Sequence, residues 1–272
     1  MDFRFYRLRF EFRARGELRF PPSGAANVLR GAFGLSLRRT APPEIYERIF
    51  EPRPAGPSGL RHPPRPFVLR ARASAPGAVS GEPWHFGMNV FETNQTIVDS
   101  IVFAVYRMAG EGFGAGRARS DLLAVVSSAC WVDLSAPEPA SQVRIRFVSN
   151  TELKAGGQLS PVPTFAQLFA RIRDRISNLS ALYGPGPLDV DFRALGRRAA
   201  DIRLIASRLE HAPETRRSSR TGEIHPLGGF TGEATYAGDL AEFLPYLRAA
   251  GHAGVGRQAV WGKGEIEVER ES

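Results

Sequence analysis

The sequence predicts an α+β protein built from two tandem ferredoxin-like domains with antiparallel sheets. Each half of the chain shows the order strand, helix, two strands, helix, glycine-rich loop and strand. The first strand of each half alternates apolar with basic side chains, which is typical of a half-buried strand. The two glycine-rich loops stand about 140 residues apart, and this spacing favours two similar units over one large fold.

The elements of the first half follow from local pattern. Leu8, Phe10 and Phe12 alternate with charged residues in the opening strand, and Arg15-Gly16-Glu17 forms a turn after it. The further elements predicted, in chain order, are a short strand at 18–20, helices at 28–39 and 44–50, strands at 67–72 and 84–91, a helix at 96–109 and a strand at 122–126. A glycine-rich loop at 112–117 separates the last helix from the last strand, as the repeated order requires.

The second half repeats this order. Its first strand alternates Val143, Ile145 and Phe147 with arginines, and Thr164 and Gln167 form a capping box that opens a long helix. The later elements predicted are strands at 202–209 and 229–236, a helix capped by Asp239 and Glu242 and ended by Gly251, a glycine-rich loop at 254–264 and a final strand from 266. The segment 135–141 (SAPEPAS) reads as a linker, so we predict an N-terminal domain over residues 1–134 and a C-terminal domain over residues 142–272.

Composition favours a polyanionic partner. The 272-residue chain has 36 basic and 28 acidic residues, a formal net charge of +8, and a sequence pI of about 10.3. Only Lys154 and Lys263 are lysines; arginine grips phosphate with a planar fork, although a GC-rich coding sequence would also favour arginine over lysine. The single cysteine, Cys130, lies in an apolar run, where a buried thiol is expected rather than a nucleophile. No apolar run suggests a membrane span or a signal peptide, so the expected compartment is the cytoplasm.

The glycine-rich loops do not match a nucleotide-binding motif. A dinucleotide fingerprint needs a strand before the loop and a helix after it, whereas both loops here follow a helix and precede a strand. Gly262-Lys263-Gly264 also lacks the hydroxyl residue and the spacing of a Walker A loop. Two interpretations remain: helix-ending glycines with a flexible connection, or a loop whose backbone amides approach phosphate closely.

The segment from Gly228 to Glu269 resembles the C-terminal region of a family of RAMP proteins, the CRISPR-associated endoribonucleases called Cas6, which cut precursor CRISPR RNA within its repeats. The matching residues are Gly228, Gly229, Gly232, Tyr236, Gly238, Gly254, Gly256, Gly262 and Gly264. In the first half, residues 29–34 resemble the first helix of this family and residues 112–117 its first glycine-rich loop. Relatives often carry a histidine where this sequence has Gly254, and His252 is displaced from that position by two residues.

The resemblance implies RNA binding and a metal-independent cleavage in which the ribose 2′-hydroxyl attacks the adjacent phosphate, with no cofactor. The residues predicted to bind RNA are Arg38, Arg39, Arg216, Arg217, Arg220, Gly254, Gly256, Arg257, Gly262, Lys263 and Gly264. The family's general base is commonly a histidine at or after the first helix, but residues 28–39 contain none. The candidates for catalysis are His225, beside the basic turn, with Tyr46 and His62 in reserve; each could equally be a surface or packing residue.

Two other functions stay open at this point. One is a non-catalytic RAMP subunit that holds guide RNA within a CRISPR effector complex, and this would make other Cas subunits partners. The other is a basic RNA-binding protein of the RRM type, which shares the ferredoxin-like topology. We find no RNP-like run of paired aromatic residues flanked by glycine and basic residues, so the RRM interpretation is the weaker one. None of these functions predicts a membrane partner.

Overall fold

The structure is a computed structural model that describes residues 1–21, 24–53, 62–74, 77–114, 116–155, 158–213, 215–217, 224–226 and 228–271. Two four-stranded antiparallel sheets form its framework, each with helices packed against it. Residues 134–141 connect the last strand of the first sheet to the first strand of the second. The predicted ranges of the two domains, 1–134 and 142–272, remain a prediction.

The first half folds as a split βαβ unit. Its strands are β1 (Asp2–Ala14), β2 (Leu18–Arg19), β3 (Phe67–Arg70), β4 (Gly77–Ala78), β5 (Pro83–Val90) and β6 (Ser120–Asp133). Its helices are α1 (Ala25–Thr40), α2 (Pro43–Phe50), a 3₁₀ turn (Arg72–Ser74) and α3 (Gln95–Glu111). The main sheet has the order β3-β5-β1-β6, and every adjacent pair in it is antiparallel. The strand β1 is therefore central, and β6 forms one edge.

The second half repeats the same topology. Its strands are β7 (Gln142–Thr151), β8 (Lys154–Ala155), β9 (Gln158–Leu159), β10 (Arg203–Ala212), β11 (Thr215–Arg217), β12 (Ile224–Pro226), β13 (Gly229–Ala237) and β14 (Ile266–Glu271). Its helices are α4 (Phe165–Tyr183), α5 (Phe192–Ala200), α6 (Leu244–Ala253) and a 3₁₀ turn (Ala259–Trp261). The sheet order β10-β13-β7-β14 corresponds strand for strand to that of the first half. Both halves are thus βαββαβ units, and the predicted fold class is confirmed.

Several predicted elements have different bounds in the structure. The Thr164–Gln167 capping box is present and opens α4. The helix predicted to be capped by Asp239 and Glu242 instead begins at Leu244 and runs to Ala253, beyond Gly251; Asp239 accepts a hydrogen bond from the Ala241 amide. Glu242 pairs with Arg198 instead of capping the helix, because α5, which the sequence analysis missed, brings that arginine beside it.

The last strand of the first half is much longer than predicted. It covers Ser120–Asp133, because its pairing with β1 continues to the N-terminal end of that strand, where Asp2 lies opposite Asp133. Cys130 lies on this strand and is half-buried, with its side chain packed against the hydrophobic core of the second half. None of the α-helices in the described part of the chain combines the length and the apolar character needed to span a bilayer.

Each hydrophobic core contains side chains from both halves of the chain. The first core lies mainly within the first half and the second core mainly within the second half. Leu8, Phe10 and Phe12 of β1 belong to the first core, whereas Phe3 and Phe5 of the same strand belong to the second. This is possible because alternate side chains point to opposite faces of a strand, and the buried positions change from odd to even numbers between Phe5 and Leu8. Val68 and Phe91 also enter the second core, and Val260 enters the first. Each exchanged side chain stabilises the contact between halves by roughly 1.5–3 kcal/mol for its burial.

A polar clamp at the end of α6 joins the halves further. Arg70 on β3 donates hydrogen bonds to the carbonyl oxygens of Gly251 and His252, at 2.7 and 3.0 Å. Asn89 on β5 donates to the same His252 oxygen at 2.9 Å, and Arg175 on α4 donates to the Ala253 oxygen at 2.8 Å. Burial and the nearby Arg70 lower the pKa of Arg175 to about 10, so it stays charged at neutral pH. Cations at a helix C-terminus complement its partial negative charge.

Candidate nucleic-acid interface

Both glycine-rich loops meet at the first turns of α1. A Cβ atom added at Gly262 would lie 2.8 Å from the Cβ of Ala26, and one added at Gly114 would lie 3.9 Å from a Val28 methyl carbon. The 3₁₀ turn Ala259–Trp261 packs on α1 and on β3. The fold thus brings the start of the first helix, the first loop and the second loop together, although they are far apart in the sequence.

The glycines of the second loop have backbone conformations that other residues rarely adopt. Gly254, Gly256, Gly262 and Gly264 have φ values of 74°, 77°, 73° and 66°, all in the left-handed region. Gly254 is the residue that ends α6, as the first interpretation of the loop requires. A Cβ at Gly264 would lie 1.8 Å from the Val255 carbonyl oxygen, so the loop can close only with glycine there. These constraints account for the glycines on structural grounds, and their contact with phosphate stays a prediction.

The two cations of the second loop occupy different environments. Arg257 is exposed, and its guanidinium forms an ion pair with Glu152 at 2.5 Å. Lys263 has only 8% of its surface exposed, so it lies within the loop and not on its outer surface. Arg30, on α1, was not among the predicted site residues; its guanidinium carbon lies 5.0 Å from the centre of the Trp261 ring. Of the two predicted cations, Arg257 is therefore the one at the surface.

The end of α1 and the start of α2 form a second polar group. The guanidinium carbon of Arg38 lies 6.0 Å from the centre of the Tyr46 ring, and Arg39 forms an ion pair with Glu111 at 3.0 Å. The Tyr46 hydroxyl donates to Glu51 at 3.0 Å. Burial and then this hydrogen bond raise the pKa of Tyr46. Tyr46 therefore keeps its proton at neutral pH, and it suits hydrogen-bond donation better than proton abstraction.

Arg216 and Arg217, which the sequence analysis placed in a basic turn, lie on the strand β11. The strands β11 and β12 pair antiparallel, with Arg216 opposite His225 and Arg217 opposite Ile224. Arg220 lies outside the described residues, and nothing is described for the side chains of Arg216, Arg217 and His225. The backbone register still places Arg216 and His225 side by side across the ladder, as expected for a histidine next to the turn.

The predicted catalytic residues come from separate parts of the molecule. His62 is exposed in the segment before β3, Tyr46 is on α2, and His225 is on the hairpin of the second half. Among the described residues, no hydrogen bond or ion pair joins Tyr46 to His62, and no cluster of three or more His, Cys, Asp or Glu side chains could hold a metal ion. The site assignments therefore remain predictions.

The sequence analysis did not identify the basic surface of β1 as a candidate RNA-binding site. Arg7, Arg9 and Arg13 are exposed on β1, on the face opposite the buried side chains of Leu8, Phe10 and Phe12. Arg9 forms an ion pair with Glu11 at 2.9 Å. The alternation of arginine with apolar residues was the available signal, but it was used to identify a strand and not a surface. These arginines extend the basic character of the first half beyond α1.

Comparison with known proteins identifies the family. The family model for CRISPR-associated endoribonuclease Cas6 matches residues 145–266, and a second family model, described as an N-terminal domain, matches residues 3–139. Residues 145–266 therefore form a Cas6 domain. This confirms the resemblance seen in the glycine-rich C-terminal segment. No curated protein matches the sequence significantly.

Solved structures share the fold of this chain over almost its full length. A Cas6 (TTHB231) product complex aligns with a TM-score of 0.66 at 18% identity, covering 98% of this chain and 100% of that one; TTHB231 is a Thermus thermophilus Cas6. A Cas6 (TTHA0078) product complex aligns with a TM-score of 0.62 at 19% identity, covering 98% and 99%. A RAMP protein described as binding different RNA substrates aligns with a TM-score of 0.55 at 12% identity, covering 97% and 100%. At these identities the likeness establishes the fold alone.

Proposed function

We propose that this chain binds CRISPR repeat RNA and cleaves precursor CRISPR RNA. Two observations support this proposal: the Cas6 structures that share its fold include product complexes and a substrate-mimic complex, and the family model that matches residues 145–266 describes endoribonucleases. The net charge of +8 and the exposed arginines suit a phosphate-rich ligand.

The convergence of both glycine-rich loops on α1 is the observation that carries the proposal. The N-terminus of a helix carries partial positive charge, and α1 has 16 residues of aligned peptide dipoles. Left-handed glycines let the loop backbone approach this end closely, as the contact of Gly262 with Ala26 indicates. Arg30 on α1, whose guanidinium carbon lies 5.0 Å from the centre of the Trp261 ring, adds a full charge at this junction, and Arg257 adds another on the same loop as Gly262. A phosphate bound here would meet positive charge and backbone amides, which is the environment that a developing phosphorane needs.

The proposed chemistry is a metal-independent transesterification. The 2′-hydroxyl loses its proton and attacks the adjacent phosphorus, the bond to the 5′-oxygen breaks, and that oxygen takes up a proton. The products are a 2′,3′-cyclic phosphate and a free 5′-hydroxyl. His225 is proposed as the base because the backbone register places it opposite Arg216 on the hairpin, beside the predicted basic turn. Tyr46, whose raised pKa keeps it protonated, fits donation to the phosphorane or the leaving oxygen, and His62 is a reserve candidate.

Incubation of purified protein with its cognate repeat RNA in EDTA tests the reaction. We expect a single cut that leaves a 2′,3′-cyclic phosphate and a 5′-hydroxyl, and no cut when the nucleotide before the scissile phosphate carries 2′-deoxyribose. Single-turnover rates of His225→Ala, His62→Ala and Tyr46→Phe then assign the roles. Loss of a general acid or base costs about 10²- to 10⁴-fold. A loss of tenfold or less with RNA binding intact would remove that residue from the chemistry.

Binding is tested separately at the basic hairpin. We expect the triple variant Arg216→Glu, Arg217→Glu, Arg220→Glu to weaken repeat RNA binding at least about tenfold and to lower the salt dependence, since each phosphate contact contributes about −0.7 to −0.9 to the slope of log K against log salt. The matched control reverses three exposed arginines elsewhere, Arg107, Arg193 and Arg197. Equal affinities for the two triple variants would contradict the assignment of the hairpin.

A non-catalytic RAMP subunit is the second candidate function. The observation that favours it is the absence of histidine from α1, whose sequence is AANVLRGAFGLSLRRT. Tight binding of the cognate repeat without any cleavage, under conditions where a control Cas6 nuclease is active, would support this alternative and overturn the proposed reaction. Other Cas subunits would then be the expected partners.

A further inference from the structure

Two aromatic side chains are exposed on the outer face of α3. Phe103 and Tyr106 have 50% and 58% of their surface exposed, and they are the exposed large apolar side chains of this helix. They are three residues apart and share one face of the helix, with ring centres 6.4 Å apart and ring planes 30° from parallel. Neither ring belongs to a hydrophobic core. These two rings, the aromatic pair, are therefore open to a ligand.

Arginines lead from the first glycine-rich loop toward the aromatic pair. Arg117, in that loop, donates to the carbonyl oxygen of Glu111 at 3.3 Å, and Arg39 of α1 forms an ion pair with the Glu111 carboxylate at 3.0 Å. Arg107 lies one turn earlier on α3, next to Tyr106; it is exposed, and no carboxylate among the described residues pairs with it. Three cations thus share one carboxylate over the last turns of α3. Such an excess of positive charge attracts a polyanion.

An aromatic pair beside arginines suits unpaired RNA. In an RNA duplex the bases stack on one another, and side chains on a convex helix surface cannot reach their faces. Unpaired nucleotides expose those faces, which stack on aromatic rings while arginines hold the phosphates between them. A protein partner would need much more surface, because a standard interface covers about 800 Å² on each side. Two rings among cations therefore fit a single strand of RNA better than a protein.

We propose that the aromatic pair stacks on bases of the unpaired RNA that continues beyond the repeat, with Arg39 and Arg107 holding its phosphates. This role rests on the proposed function, because it takes the junction of the glycine-rich loops with α1 as the place where the repeat binds. Tyr106 precedes Gly112, the start of the first loop, by six residues, or about 9 Å along the helix. RNA that leaves the junction along α3 therefore reaches the aromatic pair within a few nucleotides. Stacking tolerates every base, so the site adds affinity without adding sequence specificity.

Charge sets the side from which this RNA approaches the rings. Asp99 is exposed one turn before Phe103, on the side away from the loop, and its carboxylate accepts a hydrogen bond from Gln95 at 2.8 Å. Phosphate is therefore attracted on the loop side of the rings, where Arg107 lies, and repelled on the other side.

Fluorescence anisotropy with two uncleavable RNAs measures the added affinity. Both carry 2′-deoxyribose before the scissile phosphate; one is the cognate repeat alone, and the other continues at each end into about eight unpaired adenosines. We expect wild type to bind the extended RNA at least about tenfold more tightly, since each base stacked on an aromatic ring adds about 5- to 150-fold. The double variant Phe103→Leu, Tyr106→Leu should lose most of this gain and bind the repeat alone as wild type does. The matched control Phe192→Leu removes an exposed ring on α5 whose centre lies 5.4 Å from the Arg173 guanidinium carbon, and it should keep the gain.

An abasic extension separates the contribution of the bases from that of the phosphates. With about eight abasic nucleotides in place of the adenosines at each end, wild type and the double variant should bind equally. Arg107→Gln should instead weaken binding of both extended RNAs and lower the slope of log K against log salt by about 0.7. A gain of equal size with adenosines and with abasic nucleotides, or a gain that the double variant retains, would overturn the proposal.

Failure of this site is distinguishable from failure of the proposed function. A wild type that does not bind the repeat contradicts the proposed function, and an oligoadenosine of about eight nucleotides then tests the aromatic pair by itself. Weaker binding of this RNA by the double variant supports the site, and equal binding overturns it. A double variant with an altered sedimenting mass and unchanged affinity for the extended RNA also overturns it, because the rings would then be a protein contact. Far-ultraviolet circular dichroism and thermal unfolding verify that each variant is folded.

Discussion

His252 should make the stability of the fold depend on pH. It lies in the last turn of α6, its ring is centred 4.6 Å from the ring of Phe5, and its carbonyl oxygen accepts hydrogen bonds from Arg70 and Asn89. Burial, followed by the charges of Arg7 and Arg70, lowers its pKa from 6.5 to about 4. The imidazole is therefore neutral at the contact between the halves.

The direction of the effect follows from proton binding. Between about pH 4 and pH 6.5 the unfolded chain holds a proton on His252 and the folded chain does not, so acid favours the unfolded chain. Above pH 6.5 neither state is protonated there, and His252 adds no pH dependence. As the pH falls below 6.5 the free energy of unfolding should drop by about 1.4 kcal/mol per unit, reaching about 3 kcal/mol near pH 4.

Urea unfolding of wild type and His252→Phe at several pH values measures this contribution. Phenylalanine keeps an aromatic contact with Phe5 but cannot titrate. From pH 7 to pH 5 the stability of wild type should fall by about 2 kcal/mol more than that of His252→Phe. His85→Gln, on β5, is the matched control and should follow wild type. Parallel stability profiles for wild type and His252→Phe would refute the reasoning.

Three further substitutions test the loop, the clamp and the capping box by urea unfolding at neutral pH. Gly264→Ala should destabilise the fold by about 2–4 kcal/mol, because its Cβ would collide with the Val255 carbonyl oxygen and its φ is positive. Gly251→Ala, inside α6 where a Cβ meets no atom closer than 3.6 Å, should be neutral or stabilising. Equal effects of the two substitutions would contradict the loop geometry. Arg70→Met should cost about 2–4 kcal/mol because the Gly251 oxygen loses its donor and the His252 oxygen keeps only Asn89. Exposed Arg72→Met should stay within about 0.5 kcal/mol, and similar losses in both variants would refute the clamp. Thr164→Ala should cost about 1 kcal/mol by removing the capping box, and an unchanged midpoint would show that this box adds no stability.

The sequence predicted the topology because each half has its own periodic pattern. The alternation at Leu8–Phe12 and the capping box at Thr164 identified β1 and α4, and the repeated order identified the βαββαβ units. The full length of β6 was missed because an edge strand exposed on both faces shows no alternation along residues 126–129. The change of buried face in β1 was also invisible, since it depends on the second half packing over Phe3 and Phe5.

The sequence identified candidate site residues, but it could not predict which of them lie close together in the fold. Glycine spacing pointed to the second loop, and the structure adds that Gly262 contacts Ala26 on α1. That contact joins residues far apart in the chain, and local pattern holds no information about it. The environment of Lys263 was likewise unpredictable, because a lysine between two glycines reads as an exposed cation whereas packing leaves it 8% exposed. Charge alone could not separate Arg257, at the surface, from Lys263.

Because each core contains side chains from the other half, neither core is complete until the whole chain has been synthesised. During translation the first half leaves the ribosome before α4 and α6 exist, so Phe3, Phe5 and Phe91 remain without the partners that bury them in the finished protein. The first core likewise stays incomplete until Val260, near the end of the chain, has been synthesised. A nascent or truncated chain that stops at the linker should therefore bind chaperones or aggregate, and co-expressed halves should be recovered together or not at all.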